Sequence, residues 1–118
     1  MKRVKLITLT GRKGQEIIGD GKPLTSFAVF KAAAVSNPAQ ASRAEVTTVI
    51  WRKLGKALDA IEDAEEKSSA WVDLEDDWYD IILPAAMKII LNFGIHSPMI
   101  EDALKASVTD IKAVGVVS

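Results

Sequence analysis

The alternation of apolar and polar positions changes rhythm several times along the chain. Val4 to Leu9 is rich in β-branched and aliphatic side chains, Gly11-Arg12-Lys13-Gly14 punctuates it, and Gln15 to Ile18 forms a second short run closed by Gly19-Asp20-Gly21. Two extended runs around a glycine-flanked turn predict a β-hairpin. Two strands alone are marginal in water, so the hairpin must pack on helices or gain a third strand.

Leu24-Thr25-Ser26 opens the next element. Thr25 can cap the first amides of a helix, and Leu24 can staple onto Val29. Phe27 to Val35 is alanine-rich, with Phe27 and Phe30 on one side, and Ser36-Asn37-Pro38 stops it; proline disfavours helical geometry in the residue before it. The spacing suits a short helix, although Phe27 to Phe30 also fits a strand. Ser42-Arg43-Ala44-Glu45 has the form of a capping box. After it Val46, Ile50, Leu54, Leu58 and Ile61 recur at helical spacing, widened by Val49 and Ala57. Gly55 costs this helix about 1 kcal/mol relative to alanine, which hints at close approach by another backbone. The helix is expected to fade near Asp63 into the polar stretch 64–69.

Ala70 to Leu74 is a candidate third strand. Asp76 is placed to cap a helix carrying Trp78, Ile81 and Ile82 inward, and acidic residues there suit the positive end of the helix dipole. Pro84 either kinks that helix or starts another. Met87, Ile90 and Leu91 resume the pattern, and Gly94 can end it with a positive φ. Ser97 is then placed as a cap and Pro98 as the first residue of a helix with Ile100, Ala103 and Leu104 on its apolar side. Val114 to Ser118 is a short tail expected to fray. The expectation is one α+β domain over residues 1–118: an N-terminal β-hairpin, with an optional third short strand, packed against four or five helices.

Composition fits one such domain. The 118 residues are 48% hydrophobic and 26% charged, and a chain this long buries roughly two-thirds of its surface. There are no cysteines and one histidine. That excludes a disulfide scaffold, a thiolate nucleophile and a cysteine-based metal site. Ile81 to Ile95 is the most apolar stretch, but Pro84, Lys88 and Asn92 interrupt it, and a span needs about 20 apolar residues. It reads as core, no membrane partner is expected, and the N-terminus lacks the form of a secretory signal. The implied setting is cytoplasmic.

Charge is segregated. Residues 1–56 carry eleven Lys/Arg against three Asp/Glu, +8, whereas residues 57–118 carry four against thirteen, −9. Such polarity can be satisfied within one molecule, join copies head to tail, or present the basic hairpin to an acidic partner such as nucleic acid. Arg12 and Lys13, at the hairpin tip, are the candidate phosphate contacts. No aromatic residue lies in the hairpin to stack a base.

Catalytic constellations are missing. His96 sits beside Ser97 at a helix start, where capping or a surface role suits it better than catalysis. Asp73, Glu75, Asp76, Asp77 and Asp80 are dense in carboxylate oxygen, but Trp78 and Pro84 occupy positions that a calcium loop needs for glycine and glutamate. The glycine runs fit neither phosphate-binding pattern. Neither a cofactor nor a metal is expected. Trp78 is in phase with the core, Trp51 beside Arg52 and Lys53 suits a rim, and Trp71 fits either core or contact surface. The candidate partner-binding residues are Arg12, Lys13, Trp51, Arg52, Lys53 and Trp71.

The order of a short hairpin, a helix opening as Leu24-Thr25-Ser26-Phe27, a longer helix over Val46 to Ile61, the segment Trp71-Val72-Asp73-Leu74-Glu75-Asp76-Asp77 and a closing stretch over Ile100 to Ala106 resembles small accessory proteins of tailed bacteriophages. The resemblance is one of layout and carries over no site residue. It implies a non-enzymatic assembly or interaction protein in the host cytoplasm or virion, with a protein partner or its own copies as the target. The alternative is a nucleic-acid-binding regulator that uses the basic hairpin.

Overall fold

The computed structural model describes residues 1–11, 13–19, 21–36 and 47–111. Helix and strand are mixed, as expected, but the runs Val4 to Leu9 and Gln15 to Ile18 do not pair as the expected two-stranded hairpin. Strand β1 (Lys2–Lys5) is instead the centre of a three-stranded antiparallel sheet between β4 (Trp71–Leu74) and β5 (Val108–Asp110). The candidate strand at 70–74 is therefore present. Val4 pairs with Val72 and Val108, and all three turn toward the core; Arg3 and Lys5, opposite Asp73 and Trp71, turn outward. Strand pleating imposes that alternation. Of the hairpin there remain one bridge, Thr10 to Glu16, and a separate two-residue pairing of β2 (Ile18–Gly19) with β3 (Lys22–Pro23).

Helix α1 (Ser26–Val35) starts where Thr25 Oγ1 accepts the Ala28 amide at 3.1 Å. Phe27 and Phe30 are both fully buried, and the Phe30 ring is tilted by 50° against that of Tyr79, with ring centroids 6.0 Å apart. Ser26 is the hinge between sheet and helix. Its hydroxyl donates to the Lys5 carbonyl at 2.6 Å and accepts the Ile7 amide at 3.1 Å.

Helix α2 (Thr48–Glu66) buries Leu54, Ala57, Ile61 and Ala64. The capping box at 42–45 and Val46 lie outside the described residues; the observed cap is Thr47, whose Oγ1 accepts the Ile50 amide at 3.4 Å. Two further expectations are corrected. The helix runs past Asp63 to Glu66, and among the described residues nothing lies within 4 Å of a Cβ built on Gly55, so none of their backbone approaches there.

Helix α3 (Asp76–Ile90) keeps Pro84 inside it, continues through a 3-10 segment (Leu91–His96) and runs on into α4 (Ser97–Ala106). Among the described residues the helical stretches thus number three, 26–35, 48–66 and 76–106, rather than four or five. The third bends at Gly94, at φ 61°, a conformation open mainly to glycine. Glu75, not Asp76, is the N-cap of α3, without a side-chain cap bond. Ser97 caps nothing: it is buried, and its hydroxyl donates to the carbonyls of Ile90 and Gly94, supporting the bend. By length and composition alone the stretch 76–106 could cross a membrane; here Ile82, Ala86, Ile90, Ile100 and Leu104 all lie in the core. Trp78, expected in the core, is only half-buried, and Tyr79 takes the inner position.

Candidate functional site

Among the described residues five contacts bring the segregated charges together inside the molecule. Arg3 makes a two-point contact with Asp73 (Nε to Oδ1 2.8 Å, Nη2 to Oδ2 3.1 Å). Lys53 reaches Asp77 at 2.9 Å, Lys31 reaches Glu65 at 2.7 Å, Lys2 reaches Asp110 at 3.4 Å, and the N-terminal amine reaches Asp76 at 2.8 Å. Each joins a cation of residues 1–56 to an anion of residues 57–118. Three carboxylates of the dense acidic segment, Asp73, Asp76 and Asp77, thus each hold a cation. Among the described residues no three His, Asp or Glu side chains converge as a metal site would require.

Ionisation follows these contacts. The hydrogen bond from Lys53 is the main cause that holds the Asp77 carboxyl below its usual range. The hydrogen bond to Asp73 raises the Arg3 guanidinium above its ordinary value. Burial, aided by the charge of Asp80, pushes the Tyr79 phenol up. His96 is half-buried against Gly11, where a built Cβ would come within 2.8 Å of Nδ1; it marks where the Gly11 turn meets the 3-10 segment.

Of the six candidate contact residues, Arg12 lies outside the described residues. Lys13 is exposed in the turn, its amide donating to Gln15 Oε1 at 2.8 Å. Trp51 (41% exposed) and Arg52 lie on the solvent side of the first half of α2. Lys53, by contrast, faces α3. Trp71 is 47% exposed on the outer face of the sheet, with the Arg3 guanidinium 4.9 Å above its ring. Two separate surfaces result, one on α2 and one on the sheet.

The α2 surface contains more than sequence reasoning singled out. Val49 is 54% exposed, and Arg52, Lys56, Asp59, Asp63 and Glu66 are all exposed on the side opposite Leu54, Ala57 and Ile61. Their alternating spacing of four and three residues keeps them on one stripe. Counting charge by halves of the chain hid this stripe; counting it by helix face reveals it. A groove of about 830 Å3 beside it has an apolar floor of Ala28, Ala32, Leu58, Ile89 and Phe93, and Lys31, Glu62 and Glu65 also line it, Lys31 paired with Glu65.

No protein-family model, curated protein or solved structure matches this chain.

Proposed function

We propose that the chain is a non-enzymatic interaction protein of the assembly type, which docks onto a protein partner or its own copies through the outer face of α2. One observation carries this reading: Val49 and Trp51 are large apolar side chains left exposed on the first half of α2, Val49 on the stripe with Arg52 and Lys56, and neither of these cations has an ion-pair partner among the described residues. Exposed aromatic and arginine side chains are the residue types that anchor protein contacts. The likeness in layout to small phage accessory proteins points the same way.

Light scattering tests it. The apparent mass is expected to exceed that of the 12.8 kDa monomer at low salt and to fall for Val49→Ser/Trp51→Ser. A monomer at low and high salt, with no partner recovered on the immobilised chain, would contradict it.

A second reading has its own observation. β1 pairs with β4, so an exposed tryptophan lies beside Arg3 and Lys5 on an open sheet face. That supplies the base-stacking aromatic that the turn lacks. Gel shifts with a single-stranded oligonucleotide decide: a salt-dependent shift lost in Trp71→Ala and in Arg12→Glu/Lys13→Glu supports a nucleic-acid regulator, and no shift removes it.

A further inference from the structure

Resting on the interaction reading, we infer that the occupant of the α2 face is the same face of a second copy, laid antiparallel across a twofold axis. The argument begins with like charges. Along the exposed stripe Arg52 and Lys56 are one turn apart, as are Asp59 and Asp63, and so are Glu62 and Glu66. Such i,i+4 pairs of one sign oppose the helix that carries them. The last turn holds Asp63, Glu65 and Glu66 and no base, which also opposes the helix dipole. Lys67, just past the helix, reaches Asp63 at 3.0 Å and Lys31 reaches Glu65; among the described residues Arg52, Lys56, Asp59, Glu62 and Glu66 form no ion pair, although Lys56 and Asp59 lie three residues apart.

The stripe is also its own complement. A twofold axis passing midway between Ala57 and Leu58 sets Arg52 opposite Asp63 and Lys56 opposite Asp59, each contact occurring twice. Isologous contact requires this kind of self-complementarity. Val49 then falls opposite Glu66, at the rim. Lys67 competes for one Asp63 oxygen and leaves the other open. A face built from solvent-exposed ion pairs associates weakly and is screened by salt. The association therefore belongs at roughly 100–500 μM protein and low ionic strength.

Two variants test the register. Arg52→Asp/Lys56→Asp makes all four paired positions of the stripe acidic, and Asp59→Lys/Asp63→Arg makes all four basic. Both changes are on the surface, and circular dichroism checks that each variant folds. Sedimentation is expected to show wild type self-associating in about 20 mM salt, each variant monomeric alone, and a dimer recovered when the two are mixed in equal amounts. Wild type that associates while the acidic variant associates equally, or a mixture that stays monomeric, overturns the antiparallel contact and leaves the interaction reading standing on another surface. Wild type that stays monomeric overturns self-docking and leaves only a foreign protein partner.

Discussion

The Ser26 hydroxyl is fully buried, yet both of its hydrogen-bonding roles are used, toward Lys5 and Ile7. Removing it strands a carbonyl and an amide where water has little access. Ser26→Ala is expected to cost about 1–3 kcal/mol in urea unfolding; an unchanged midpoint would show that the clamp is not needed. Lys53 and Asp77 make a different kind of contact, half open to solvent. Because Asp77 titrates lower in the folded chain than in the unfolded one, its contribution to stability is complete above the ordinary carboxylate range. That contribution is lost as pH falls below about 4 and through the folded value. In Lys53→Met the Asp77 carboxyl, followed by NMR titration, is expected to move up toward its ordinary value, and an unmoved titration would contradict the assigned cause.

At the scale of elements, the helices were more legible than the strands. Thr25 caps α1 as its position implied, and Leu54, Ala57 and Ile61 are buried as their spacing required, because both signals are local. The sheet was not legible: β1 pairs with residues about 70 and 105 positions away, and no local pattern at Val4 names Val72 or Val108 as a neighbour. The third strand at 71–74 was visible as a run, but its partner was not. The same limit explains Ser97, read as a cap and found supporting the carbonyls at the Gly94 bend. Of the candidate site, Trp51 and Arg52 were identifiable from the stripe they flank, whereas the cation over Trp71 depended on a non-local pairing. Gly55 carries a practical consequence. With open space where its Cβ would be, Gly55→Ala is expected to stabilise the protein by about 0.5–1 kcal/mol. A destabilised variant would mean that something does pack there.

For the whole molecule, a chain divided +8 and −9 folds so that five contacts bring the two signs together, through Lys2, Arg3, Lys31, Lys53 and the N-terminal amine. Exposed pairs of this kind stabilise little individually. Their larger effect is to bring part of the segregated charge together within one molecule, which lowers its long-range polarity. The ordered bipolar stripe on α2 is among the charges that this pairing leaves uncovered, with Lys5, Lys13 and Lys22. Contact by this protein is therefore expected to be local to one helix and electrostatic in character. Sedimentation equilibrium of the unmodified chain at about 20 mM and about 0.5 M salt tests this most directly. The account predicts a mass approaching two chains in the first and one chain in the second; a mass that is the same in both, whatever its value, would contradict it.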